Sequence, residues 1–211
     1  MANRKRISFL SKLLDGYDTV LDIGTDHGLV LKEALDLGYI KKGIACDINQ
    51  EPLNQAKRNL NGYPIDFIQS DGFEYIHSSY DAVVIAGMGV HTMMHILDQK
   101  HESKIYFLQP NDKYDILRKY LSDFGFKITD EFVIQDKFYY VILKVEKGTM
   151  KLAEEDFYLG PVLKKKDESI AYYKHQIKNI DKIIHAADEE TSKKYKKILS
   201  YYKLYSDHTL T

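Results

Sequence analysis

The chain has 211 residues, 44% hydrophobic and 29% charged, which suits a folded globular protein and excludes a disordered or fibrous one. Its 30 basic and 31 acidic residues leave a net charge of −1, so overall charge gives no sign of a nucleic-acid partner. The single cysteine, Cys46, rules out an intramolecular disulfide and fits a reducing compartment such as the cytoplasm.

The N-terminus carries Arg4-Lys5-Arg6 but no long apolar core or small-residue cleavage site, so no signal peptide is expected. Strands are predicted over residues 19–23, 42–47, 65–69, 82–85, 104–108, 130–135 and 138–146. Several are near-continuous apolar runs, as in strands covered on both faces. Helices are predicted between them, over residues 28–37, 50–61, 91–99 and 113–124. The apolar run over residues 82–94 is shorter than the ~20 residues that cross a bilayer. Strand alternating with helix implies an α/β fold, a doubly wound and mainly parallel sheet of about seven strands. Only Asp136-Lys137 separates the last two strands, so they are expected to form an antiparallel hairpin.

Residues 148–156 read as a polar linker, dividing a domain over 1–150 from an extension over 151–211. Beyond it, Ile170, Tyr173, Ile177, Ile180 and Ile184 recur at helical spacing, as do Tyr195, Ile198, Tyr202 and Tyr205. The polar stretch over 188–192 supplies a turn and a cap between them. The extension is therefore expected to be a small coiled-coil-like helical hairpin. Its lysine clusters, Lys164-Lys165-Lys166 and Lys193-Lys194 with Lys196-Lys197, are either solvated faces or a nucleic-acid surface.

The chemistry gathers at strand ends. VLDIGTDHG, from Val20 to Gly28, ends an apolar strand in Asp22, Gly24, Asp26 and His27. A dinucleotide site would carry G-x-G-x-x-G and place pyrophosphate on the helix N-terminus. Here that pattern is absent, and two carboxylates would repel a pyrophosphate. S-adenosylmethionine has no phosphate; it carries a sulfonium and an ammonium that carboxylates and carbonyls accept. Asp47, followed by Ile48, ends the second strand in the register of a ribose-binding acid. Asp71-Gly72 ends the third, where a carboxylate can accept from an adenine amino group. Ala86-Gly87-Met88-Gly89 ends the fourth as a thin-walled loop. Taken singly, each has a structural reading as a helix cap or tight turn. Three acidic tips and one glycine loop at four successive strand ends favour the cofactor. His91 and His95 share a helix face, but no third ligand is placed, so no metal is expected.

DIGTDHG, SDGF, AGMG and then LQPN resemble the bacterial tRNA methyltransferases that act on N1 of adenosine 22. The LGPVL segment, residues 159–163, is similar to the start of that family's helical extension. Val90 departs from the pattern, since the family more often has glycine there. The resemblance implies a Rossmann-like domain, S-adenosylmethionine as cofactor and tRNA as partner. It implies a cofactor site lined by Gly24, Asp26, His27, Asp47, Ile48, Asp71, Gly72, Ala86, Gly87 and Met88. Asn111 would hydrogen-bond the adenine edge, and Asp26 or Asp22 would stabilise the methylated cation. Arg4, Lys5 and Arg6, with Lys164, Lys165 and Lys166, would contact the tRNA. Two other readings stand beside this one. They are a methyltransferase for a small molecule and a non-catalytic RNA-binding protein with a degenerate Rossmann domain.

Overall fold

The computed structural model describes residues 4–102 and 105–206. Five strands are parallel: β1 (Thr19–Ile23), β2 (Lys42–Asp47), β3 (Ile65–Gln69), β4 (Ala82–Met88) and β5 (Ile105–Pro110). Then β6 (Phe126–Gln135) and β7 (Tyr139–Lys147) form an antiparallel hairpin, with β7 paired against β5. The sheet order is β3-β2-β1-β4-β5-β7-β6. Because the order reverses between β1 and β4, a crevice opens at their carboxyl ends, where doubly wound sheets bind ligands.

Helices are α1 (Arg4–Leu13), α2 (Leu29–Asp36), α3 (Gln50–Asn59), α4 (Val90–Asp98), α5 (Tyr114–Asp123), α6 (Glu154–Leu159), α7 (Ser169–Ala186) and α8 (Glu189–Ser206). Successive strand residues point to opposite faces, and both faces are covered. Val20, Val84 and Phe107 meet Leu10, Leu14 and Leu31 of the α1–α2 layer. Leu21, Ile23, Val83 and Ile85 meet the layer that contains Met93, Leu117 and Leu121. Burial on both faces explains why these strands read as unbroken apolar runs.

The first three strands lie where the sequence places them. β4 runs on from Ile85 to Met88 through an irregularity between Ala86 and Met88. β6 starts at Phe126 instead of 130, and a register shift between Ile128 and Asp130 divides its first residues from the expected run. The expected start of β5 at Lys104 lies outside the described residues. Helix α1 is an addition: Leu10 and Leu14 are fully buried, and the Ser11 hydroxyl donates to Val30 O at 3.0 Å. The expected linker over 148–156 contains the start of α6, where Asp156 Oδ2 accepts from Ala153 N at 2.9 Å.

Helices α7 and α8 form the expected hairpin, and Asp188 Oδ1 accepts from Thr191 N at 2.8 Å at its turn. Its seam also grips the rest of the protein. The Tyr173 hydroxyl donates to Leu159 O at 2.8 Å, and that of Tyr202 to Tyr158 O at 2.9 Å. One apolar cluster therefore runs from the sheet through α5 to Ile180 and Ile198. A buried ion pair locks the junction. Arg118 Nε donates to Glu131 Oε1 at 2.8 Å, with both side chains fully buried. Arg118 Nη1 also donates to Phe157 O and Tyr158 O, while Glu131 Oε2 accepts from the amides of Val162 and Leu163.

Candidate active site

The loop after β1 is tied to β2 by its backbone: Gly24 N and Thr25 N donate to Cys46 O at 2.9 and 3.0 Å. Gly24 sits at φ +78°, and a Cβ there would stand 2.8 Å from Met88 Cε. The β1 and β4 loops thus close on each other, and glycine alone fits between them without strain. Asp22 lies beneath this loop at 6% exposure, and its Oδ2 accepts from the Thr25 hydroxyl at 2.7 Å. Burial pushes its carboxyl up to about 6, against the Thr25 hydrogen bond and the pull of Arg6; the charges of Asp47 and Asp26 add to the rise.

Asp26 and His27 stand at the surface, with Asp26 Oδ1 3.1 Å from His27 Nε2. His27 adopts a left-handed backbone (φ +61°), uncommon for a residue with a side chain, and its carbonyl accepts from Asn59 Nδ2 at 2.9 Å. Asp47 is buried at the tip of β2, and its Oδ1 accepts from Asn49 N at 2.8 Å. Its neighbour Ile48 is 56% exposed, a large apolar side chain left open beside a carboxylate. Asp71 lies 3.7 Å from His95 Nε2. Gly72 is buried beside it, and Phe73 N donates to Gln99 Oε1 at 2.6 Å.

At the end of β4, Gly87 turns at φ +79° between Ala86 and Met88. Asn111 is bound to that turn twice: its amide donates to Met88 O at 2.9 Å and its Nδ2 to Gly87 O at 3.1 Å. Arg6 reaches in from α1. Its Nη1 donates to Gln109 Oε1 at 2.7 Å, and its guanidinium lies 5.5 Å from the Tyr140 ring centre. A Cβ on Gly87 would stand 3.1 Å from that Nη1, so Arg6 forms part of the crevice wall.

The structure therefore brings together Asp22, Gly24, Asp26, Asp47, Gly87, Met88, Asn111 and Arg6. The other basic residues are placed differently. Arg4 and Lys5 are exposed, and Lys5 N donates to Asp136 Oδ2 at 3.1 Å. Lys164 is held by Glu155 and Asp156 at 2.6 and 2.7 Å. Lys166 is held by Asp130 at 2.6 Å and by Glu131 O at 2.7 Å. Within that cluster only Lys165 is exposed. Among the described residues, no group of three or more His, Cys, Asp or Glu side chains could hold a metal, and no helix is long and apolar enough to cross a membrane.

The family model of tRNA (adenine(22)-N(1))-methyltransferase matches residues 20–204. The chain belongs to this family. A putative tRNA methyltransferase of Mycoplasma pneumoniae is 33% identical over 190 residues, covering 83% of this chain and 89% of that protein. The tRNA (adenine(22)-N(1))-methyltransferase of Bacillus subtilis is 29% identical, covering 93% of this chain and 92% of its own. The crystal structure of a putative tRNA (m1A22) methyltransferase of Streptococcus pneumoniae in complex with S-adenosyl-L-methionine superposes with a TM-score of 0.84 at 26% identity. It covers 96% of this chain and 98% of its own. As a member of the tRNA (adenine(22)-N(1))-methyltransferases, the chain transfers a methyl group from S-adenosylmethionine to N1 of adenosine 22 in tRNA. The small-molecule and non-catalytic alternatives fall with that assignment.

The crevice fits this cofactor on its own chemistry. Asp22, Asp26 and Asp47 lie close enough for their charges to be felt at one carboxyl. Among the described residues, Arg6 is the cation whose charge is felt at that carboxyl, and it is engaged with Gln109. A carboxylate-rich pocket with an open apolar face suits a cationic ligand with an adenosine moiety and opposes a pyrophosphate. Two features escaped the sequence. Thr25 as the partner of Asp22 carries no motif signal of its own, and the Arg6–Gln109 bond spans 103 positions.

Proposed function

We propose a division of labour within this methyltransferase. Residues 1–150 carry the chemistry, and residues 151–211 hold the body of the tRNA. Asp47 accepts the ribose hydroxyls, Ile48 covers one face of the cofactor's adenine, and Asp71 with Gly72 receives its amino edge. Gly24, His27, Ala86, Gly87 and Met88 shape the end of the pocket where the methyl group is presented. S-adenosylmethionine, when bound, supplies an electrophilic methyl group on a sulfonium.

Adenine N1 carries a lone pair in the neutral base, so no proton has to be removed before it reacts. The protein's work is therefore proximity and alignment. N1 lies on the pairing edge, so the base must leave its stack and enter the crevice. Asn111 is fixed to the β4 turn by two hydrogen bonds, and it is the residue that meets that edge in this reading. Asp26 keeps an exposed carboxylate at the same crevice, available to the cation that methylation creates. Asp22, capped by Thr25 and 6% exposed, acts on that charge through the loop above it, not by touching the base. Arg4, Lys5 and Lys165 are the exposed cations for phosphate contact, and the reaction is assigned to the cytoplasm.

The convergence of Asp22, Asp26 and Asp47 on one crevice that Asn111 also borders supports this reading. Asp26→Asn tests it: turnover should fall at least tenfold while cofactor affinity changes less than threefold. Unchanged turnover would remove Asp26 from the mechanism.

A further inference from the structure

A groove of about 330 Å³ opens beside the crevice, between the start of α5 and the α7–α8 hairpin. Asn111 lines it, so it continues the site already described. Its walls are aromatic, including Tyr114, Tyr139 and Tyr158. Tyr139 is half-buried and braced by Tyr172, with ring centres 5.6 Å apart. Polar groups line the groove beside the rings. The Asp115 carboxylate, the Gln176 amide and the hydroxyls of Tyr139 and Tyr158 take no hydrogen bond from the described residues. The groove runs on into a second chamber of about 200 Å³, sharing Asp115, Tyr158, Gln176 and Tyr202 with it. Exposed lysines line both chambers, Lys113 the first and Lys194 the second. Lys113 itself is held left-handed at φ +56°, a costly backbone for a residue with a side chain.

These features specify an occupant. Aromatic walls accept the face of a base whatever its sequence. A carboxylate and an amide with unused hydrogen-bonding capacity suit the edge of a base. The same carboxylate opposes a phosphate inside the groove, while the lysines suit a phosphate outside it.

We propose that this groove is a second nucleoside site, which receives the base of a tRNA nucleotide neighbouring the methylated adenosine. Asp115 accepts from that base's exocyclic amino group, so adenine, guanine or cytosine is taken in preference to uracil. Splaying a neighbouring base into the groove holds the strand open at the moment the target base turns into the crevice. The inference rests on tRNA being the substrate.

The test uses the full-length chain and tRNA transcripts made abasic in turn at each nucleotide flanking adenosine 22. Tyr139→Ala and Asp115→Asn are compared with the unsubstituted protein for tRNA affinity and for methyl transfer. For the unsubstituted protein, removing one of the two bases should weaken binding about 5- to 150-fold. Tyr139→Ala should bind intact tRNA more weakly by a similar factor and be indifferent to removal of that base. Asp115→Asn should narrow the preference for an amino-bearing base over uracil at the same position. Bound S-adenosylmethionine reports that each variant is folded. Equal responses of the unsubstituted protein and both variants to base removal, with methyl transfer intact, would overturn the second site alone. Loss of methyl transfer to every tRNA by the unsubstituted protein would instead overturn the reading on which it rests.

Discussion

Asp22 holds its proton far more tightly than an exposed aspartate, because it is buried under the β1 loop with Asp47 and Asp26 nearby. The rise from its ordinary 3.8 to about 6 corresponds to about 3 kcal/mol, at 1.36 kcal/mol for each tenfold change in proton affinity. The folded chain binds this proton more tightly than the unfolded chain does. Stability from this group is therefore fully present below pH 3.8 and is lost as pH rises through about 6. Asp22→Asn cannot titrate, and its amide oxygen can still accept from Thr25. Urea denaturation of both proteins at pH 4 and pH 7.5 should show the variant gaining about 2.4 kcal/mol relative to the parent across that interval, with equal m-values. Its cofactor affinity should fall at pH 7.5, since the variant lacks the negative charge beneath the pocket. A stability difference that stays constant to within about 0.5 kcal/mol between the two pH values would refute the burial argument.

Glu131→Ala leaves the Arg118 charge buried and frees the amides of Val162 and Leu163, so unfolding stability should drop by about 3–5 kcal/mol in urea. A drop under about 1 kcal/mol would contradict the role of this pair as the lock between sheet and hairpin. Gly24→Ala puts a Cβ 2.8 Å from Met88 Cε on a left-handed backbone, and calorimetry should show cofactor affinity at least tenfold weaker. Adding Met88→Ala should recover only part of that loss, because the backbone cost remains. Lys165→Ala should weaken tRNA binding and reduce its salt slope by about one. Lys164→Ala should instead lower the unfolding midpoint, since Lys164 holds Glu155 and Asp156.

The centre of the sheet was legible because its strands are buried, so β1 and β2 stand out as apolar runs with an acid at the tip, whereas β3 is only partly buried and ends on Gln69, with Asp71 just beyond it. The acidic strand tips were legible for the same reason: a doubly wound sheet sends them all to one edge. Helix α1 is not legible in the sequence because its apolar stripe is only Ile7, Leu10 and Leu14, preceded by the charged Arg4-Lys5-Arg6. The bulge in β6 shifts the alternation by one residue, which a period-two pattern cannot follow. Lys164-Lys165-Lys166 reads as one basic cluster, yet Lys166 finds Asp130 across 36 positions, a pairing that only the fold creates. Tyr173 and Tyr202 read as seam residues between two helices, and their hydroxyls in addition donate to the carbonyls of Leu159 and Tyr158, contacts that helical spacing alone does not reveal.

The most direct measurement is methyl transfer from labelled S-adenosylmethionine to an unmodified tRNA transcript bearing adenosine 22, with the product mapped by mass spectrometry. 1-Methyladenosine should appear at that position, and none should form in a transcript carrying another base there. Absence of transfer to any tRNA by a chain that still binds S-adenosylmethionine would contradict the assigned reaction.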